Sequence, residues 1–231
     1  MKYAVIAAGE GSRLVGEGVK DPKPLVKING EAMIDRLIRI FIENKAESIN
    51  IIINSEMQEV RRHLDSLQLP VPLHVEVKST PSSMHSFFEL REWLRGGRFC
   101  LTTVDTMFRE DEFSSYISRF EESAGIGGLM AVTDFIDDEK PLYVETDKDL
   151  NIKGFRDNVY DNARYISGGV YGLTEPAIDI LERAMRDNVS RMRNYQRRLV
   201  SEGMQLKAYP FTKIIDVDHA GDIEKAARFV K

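Results

Sequence analysis

A single cysteine, Cys100, excludes an intrachain disulfide and points to a reducing compartment. Long apolar runs are missing as well. The N-terminal run at residues 3–8 stops at Gly9-Glu10-Gly11-Ser12-Arg13, short of the roughly 7–15 residues of a secretory core and the ~20 of a membrane span. No membrane partner is expected, and the protein is read as cytoplasmic. There is no excess of positive charge: 32 Lys and Arg stand against 37 Asp and Glu, a net charge of −5. A broad nucleic-acid surface is therefore disfavoured, while a local basic site for phosphates is not. Internal repeats, low-complexity tracts and flexible linkers are absent.

What is present is an ordinary globular composition, 231 residues of which 42% are hydrophobic, and one compact unit spanning residues 1–231 is expected. Short apolar runs predict strands at residues 3–8, 48–53, 98–103 and 126–132, residues 74–77 alternate like a strand, and residues 25–28 run into the turn signal Asn29-Gly30. Between them, residues 32–44, 57–67, 84–94 and 111–123 read as helices, the first with Met33, Leu37, Ile40 and Phe41 on one face. This alternation predicts an α/β fold with a mostly parallel, doubly wound, Rossmann-like sheet. Beyond residue 132 the rhythm changes. Short strands at 142–145, 152–155 and 165–173 predict a small antiparallel lobe beside that sheet. Helices at 176–186 and 191–202, strands at 205–209 and 213–217, and a last helix from Ala220 complete the pattern. Trp93 shares a helix face with Leu90 and Leu94 and reads as core.

In an open parallel sheet, ligands sit outside the carboxyl ends of the strands, and the loop at residues 9–23 leaves the first strand there. Gly9 and Gly11 let the backbone approach an anion. Arg13 offers a fork of donors, and Lys23 a point charge. Two common phosphate loops are excluded: no Gly-Lys pair occurs, and Leu14 stands where the dinucleotide fingerprint needs a small residue.

The run Ala7-Ala8-Gly9-Glu10-Gly11-Ser12-Arg13-Leu14, followed by Asp21-Pro22-Lys23-Pro24-Leu25, resembles the signature of a nucleotidyltransferase superfamily. That superfamily holds the sugar-nucleotide pyrophosphorylases, the alcohol-phosphate cytidylyltransferases and the molybdenum-cofactor guanylyltransferases. The stretch Ile28-Asn29-Gly30-Glu31-Ala32-Met33-Ile34 is similar to the strand, turn and helix start that follow in its members. Between arginine and Pro-Lys, this chain carries Gly16-Glu17-Gly18-Val19-Lys20-Asp21, a flexible segment that would suit a mobile cover.

The resemblance implies Mg²⁺-dependent transfer of a nucleoside monophosphate from an NTP to a small phosphorylated acceptor, most simply a sugar phosphate, with release of pyrophosphate. It implies that Ala8, Gly9, Gly11, Ser12 and Arg13 bind the nucleotide, and that Arg13 and Lys23 act on its phosphates. Thr80, Ser82 and Ser83, in Ser79-Thr80-Pro81-Ser82-Ser83-Met84-His85-Ser86, occupy the place of the base-recognition loop; a helix cap is the plainer reading. Asp105, just after a strand, stands where the family places a metal ligand, though a turn former is the alternative. In Asp216-Val217-Asp218-His219-Ala220-Gly221-Asp222, Asp218 is the implied second ligand. Asp216 is the fallback, and an N-cap role for Asp218 stays open.

Ser167-Gly168-Gly169-Val170-Tyr171 resembles the acceptor strand, so Gly168, Gly169 and Tyr171 are implied acceptor contacts, with a strand bulge as the alternative. Residues 1–132 would thus form a nucleotide half, and 133–231 an acceptor half with the C-terminal metal segment. The basic stretch from Arg186 to Arg198 reads as a solvated helix face, with acceptor or partner contact as the alternative. A phosphocholine-type or other alcohol-phosphate cytidylyltransferase, and a catalytically silent nucleotide-binding subunit, are the rival functions.

Overall fold

The computed structural model describes residues 1–137 and 139–230; the expected domain end at Lys231 lies outside them. The first half runs β1 (Lys2–Ala7), α1 (Ser12–Gly16), β2 (Lys27–Ile28), β3 (Glu31–Ala32), α2 (Met33–Glu43), β4 (Ser48–Ile53), α3 (Gln58–Ser66), β5 (Leu73–Val77), α4 (Ser83–Leu94) and β6 (Arg98–Thr103). Then come β7 (Thr106–Met107), α5 (Glu110–Glu122), β8 (Gly128–Thr133), β9 (Tyr143–Thr146), β10 (Ile152–Arg156) and β11 (Tyr165–Thr174). The chain closes with α6 (Pro176–Arg186), α7 (Met192–Ser201), β12 (Leu206–Phe211), β13 (Ile215–Asp216) and α8 (Ala220–Phe229).

Strand side chains alternate between faces, so a strand buried on both sides feeds two cores. In β1, Tyr3, Val5 and Ala7 enter one core, with α2, α3 and α5; Ala4 and Ile6 enter the other, with α4, α6 and α7. The expected face of α2 is buried throughout, and Phe41 stacks on Tyr3 with ring centroids 4.3 Å apart. Trp93 packs against the second core with Leu90 and Leu94, though it is only partly buried, and stacks on the His74 ring at 5.3 Å.

The main sheet has the order β10-β9-β11-β6-β1-β4-β5, and β8 joins β11 to β12. Strands β6, β1, β4 and β5 are parallel, while β11 runs antiparallel to β6. The chain passes from β1 outward to β4 and β5, then returns to place β6 on the other side of β1. That reversal opens a crevice at the carboxyl ends of β1 and β6. The expected antiparallel lobe is a continuation of the same sheet, because β9 pairs with both β10 and the start of β11. The proline-containing loop ends in a 3₁₀ turn, Lys23–Leu25, favoured by Pro22 and Pro24, and β2 then leads into the Asn29-Gly30 turn.

A small second sheet matters more than its size suggests. β13 pairs antiparallel with β7, Asp216 opposite Thr106 and Ile215 opposite Met107, and the Val217 N–H donates to the Asp105 carbonyl at 3.1 Å. This ladder brings the C-terminal segment back to the end of β6.

Candidate functional site

β1 and β6 are in register, Ile6 beside Thr103, so the loop after one and the turn after the other emerge together. The first loop turns at Gly11, which has φ +62. A Cβ there would lie 3.0 Å from the Cβ of Lys23, so both the backbone angle and the close approach of the Lys23 segment call for glycine. Ala8 is buried, with its carbonyl facing the Asn54 amide at 3.5 Å, whereas Gly9 and Ser12 are exposed.

Lys23 is the centre of the arrangement. Its ammonium lies 2.5 Å from Asp105 Oδ2 and 2.7 Å from Asp218 Oδ1, and its side chain is only 10% exposed. Two carboxylates more than a hundred residues apart in sequence thus converge on one cation. Burial works against the charge on Lys23, but Asp105 and Asp218 outweigh it and raise its pKa above the ordinary lysine value. With a folded pKa raised in this way, the ionic contribution is complete below the unfolded value and fades only as pH rises through the folded one. Lys23 is therefore a cation throughout the neutral range, not a base.

Arg13 donates to Asp218 Oδ2 at 3.1 Å. With side chains 53% and 42% exposed, such a pair is worth about 0.2–1 kcal/mol, so either partner is readily given up to a ligand. Asp216 accepts from the Thr106 hydroxyl at 3.2 Å, and Thr106 pairs with Thr103 at 2.7 Å. It lines the same cleft as Arg13 and Asp218, a space of about 360 Å³.

The N-cap of α8 is His219, not Asp218, as the β-region backbone of His219 shows. Asp222, in the first turn, accepts from the N–H groups of both Asp218 and His219, which leaves the Asp218 carboxylate free to face Lys23 and Arg13.

Sequence reasoning missed Glu17. One of its carboxylate oxygens lies 2.6 Å from His219 Nδ1, and the other accepts from the Ala220 N–H at 2.6 Å. These bonds hold its carboxyl below the ordinary range, and Glu17 in turn raises the His219 imidazole. The segment expected to be a mobile cover is thereby tied to the start of α8. Nothing local marks Glu17, because its partners lie some 200 residues away.

The loop before α4 uses its hydroxyls internally. Thr80 pairs with Ser86 at 2.7 Å, and Ser82 lies 2.8 Å from His85 Nδ1. Ser82 holds the N-cap position without bonding the helix backbone, and its oxygen accepts from the Arg191 N–H at 3.2 Å. Ser83 lines a second cleft, of about 260 Å³, together with Tyr171 and Gly169. If this loop reads a nucleobase, Ser82→Ala and Ser83→Ala will change the ranking of the four NTPs by kcat/KM more than they change the melting temperature. An unchanged ranking in both would reduce the loop to a structural turn.

The glycine pair forms a bulge: the β11–β8 register shifts between Ser167 and Tyr171, and Gly169 has φ +73 with Thr106 Oγ1 2.9 Å from where its Cβ would be. Gly168 packs under the Ile214 side chain and lines the larger cleft. Tyr171 is buried, which pushes its phenol up and rules it out as a base at neutral pH. The arginines of α7 are largely paired within the fold, Arg193 and Arg197 with Asp157, and Arg198 with Asp187 and Glu202.

The family model of the MobA-like NTP transferase domain matches residues 3–200. The chain belongs to that family. This NTP transferase is a nucleotidyltransferase enzyme, and its mixed α/β fold is that of known members. The inositol-1-phosphate CTP transferase from T. maritima superposes with a TM-score of 0.80 at 18% identity, covering 100% of this chain and 97% of that one. A protein assigned as a glucose-1-phosphate thymidylyltransferase from Bacillus anthracis gives 0.85 at 17%, covering 99% and 94%. HddC from Yersinia pseudotuberculosis gives 0.75 at 18%, covering 98% of each chain. No curated protein sequence matches the chain. Among the described residues, no helix is long and apolar enough to cross a membrane.

Proposed function

We propose that this NTP transferase moves a nucleoside monophosphate from an NTP to a small phosphorylated acceptor, in the first instance a sugar phosphate, with Mg²⁺ and release of pyrophosphate. The observation that carries the reading is the convergence of Arg13, Lys23, Asp105 and Asp218 at the carboxyl ends of β1 and β6. An oxygen of the acceptor phosphate attacks the α-phosphorus. The bond from that phosphorus to the β-phosphate oxygen breaks, and its electron pair leaves with pyrophosphate. The acceptor is already ionised, so no general base is needed, in keeping with a protonated Lys23 and a buried Tyr171.

Catalysis is then positioning and charge neutralisation. Arg13 exchanges its exposed bond to Asp218 for the β- and γ-phosphates. Lys23 turns from the carboxylates toward the α-phosphate, where negative charge accumulates. The loop at residues 8–12 meets the phosphates with its main chain. The donor set suits Mg²⁺: Asp105 and Asp218 are oxygen ligands that already share one cation, and Mg²⁺ takes its other oxygens from phosphate and water. When bound, the ion would offset the charge of the triphosphate.

One relative by structure bears a name that joins CTP to a polyol phosphate, which favours an alcohol-phosphate acceptor as a second reading. Pyrophosphate release, measured over four NTPs against a panel of sugar and alcohol phosphates, decides between them. Release is expected only with a matched pair, and EDTA should abolish it. Release with NTP alone, or activity indifferent to EDTA, would overturn the proposal.

A further inference from the structure

The helix that carries Arg13 has little of its own to hold it. α1 is five residues long, too short to be stable in isolation, and buries only Leu14, while Val15 is 60% exposed. Backbone bonds close the turn after it. The Glu17 N–H donates to the Arg13 carbonyl at 3.0 Å, and the Val19 N–H to the Leu14 carbonyl at 3.0 Å. Arg13 and Glu17 thus stand about one helical turn apart and project to the same side. Both reach the entry of α8: Arg13 bonds Asp218, and Glu17 bonds His219 and the Ala220 N–H.

The far side of this contact is well tied. The N–H groups of Asp218 and His219 both donate to Asp222, and Lys225 pairs with Asp222 at 3.1 Å. α8 begins at Ala220, whose N–H is one of the four that a helix leaves without an internal partner. A carboxylate there satisfies the donor and faces the positive end of the helix dipole. Glu17 does so with one oxygen at 2.6 Å, while its other oxygen lies 2.6 Å from His219 Nδ1. The short helix is therefore held by the longer one at two adjacent points. One of them is given up during turnover, since in the proposed function Arg13 leaves Asp218 for the β- and γ-phosphates. The Glu17 bonds then remain as the polar link between α1 and α8.

We infer that Glu17 is a positioning residue for the transfer: its clasp on the start of α8 holds α1 while Arg13 changes partners, and so keeps the guanidinium aimed at the triphosphate. The inference rests on the proposed function and adds a residue that acts through Arg13 rather than on the substrate. Its sign sets it apart from simple electrostatics. An acid beside a polyphosphate site repels the ligand, so removing its charge should tighten binding. Removing a clasp should loosen binding instead. The fold as a whole depends little on the contact, because the side chains of His219 and Glu17 are 39% and 40% exposed and such pairs contribute little to stability.

The test combines equilibrium binding with steady-state kinetics of the full chain. Inorganic triphosphate, which has the phosphates without the base, is the binding probe, titrated by calorimetry in the presence of Mg²⁺. The kinetics use the best of the four NTPs with glucose 1-phosphate or inositol 1-phosphate. Glu17→Ala should weaken triphosphate binding and raise the NTP KM by about tenfold each, the scale of one hydrogen bond to a charged group. The acceptor KM should stay within about twofold, and the melting temperature within about 2 °C. Glu17→Gln keeps an oxygen for the Ala220 N–H and should recover most of the loss. In an Arg13→Ala background, Glu17→Ala should add nothing further, because the clasp works through that guanidinium. Unchanged or tighter triphosphate binding in Glu17→Ala, an undiminished effect in the Arg13→Ala background, or an equal rise in the acceptor KM would overturn the inference. A parent protein that binds triphosphate but transfers nucleotide to no acceptor would remove the proposed function and leave the clasp to be judged on binding. A parent that binds neither triphosphate nor NTP would remove both.

Discussion

Lys23→Ala is expected to lose about 10²-fold or more in turnover while the fold persists. The magnitude is that of removing one placed charge donor from a developing anion. In the resting structure Lys23 also separates two carboxylates, at 2.5 Å from Asp105 and 2.7 Å from Asp218. Without it these anions face each other, and leaving such a group uncompensated costs about 1–3 kcal/mol. The variant should therefore melt somewhat lower than the parent, and added Mg²⁺ should restore part of that loss by taking the place of the ammonium. Circular dichroism and melting curves, with and without Mg²⁺, report the structural part, and pyrophosphate release at saturating substrates reports the chemical part. Unchanged turnover would remove Lys23 from the mechanism.

Asp105→Asn and Asp218→Asn should each reduce turnover by about 10²-fold or more and raise the Mg²⁺ concentration needed for half-maximal rate. An amide keeps the shape of the side chain but not the charge that a hard cation requires. Because both residues act on one ion, the double variant should cost much less than the product of the single losses. Asp105 is the more enclosed of the two, with 18% of its side chain exposed against 42% for Asp218, so its loss should be the larger. Asp216→Asn is the control, since Asp216 is held by the Thr106 hydroxyl rather than by Lys23. If Asp216→Asn shifts the Mg²⁺ requirement and Asp218→Asn does not, the second ligand is Asp216. If neither Asp105 nor Asp218 affects it, the metal assignment is wrong.

The first loop was legible because its chemistry is local. Gly11, Arg13 and Lys23 fall within fifteen residues, and glycines beside a guanidinium and an ammonium are the chemistry of an anion site. The helix face of α2 was equally readable, since periodicity 3.6 places Met33, Leu37, Ile40 and Phe41 together whatever surrounds them. The face of α4 likewise placed Trp93 with Leu90 and Leu94 against the second core, but not how far β5 covers it.

The sequence by itself determined the alternation of strands and helices, the loop that leaves β1, and the residue types able to hold phosphate and metal, because each depends on neighbours along the chain. Only the tertiary structure decided that β13 would pair with β7 and carry Asp218 to Asp105 and Lys23. A two-residue strand has no signal of its own. Its partner, β7, is equally short and lies at the end of β6, so the pairing exists only once the main sheet has placed that end. The same holds for Glu17 on His219 and for Asp157 under Arg193, whose partners lie on other elements of the fold, so that no pattern of neighbours along the chain marks them.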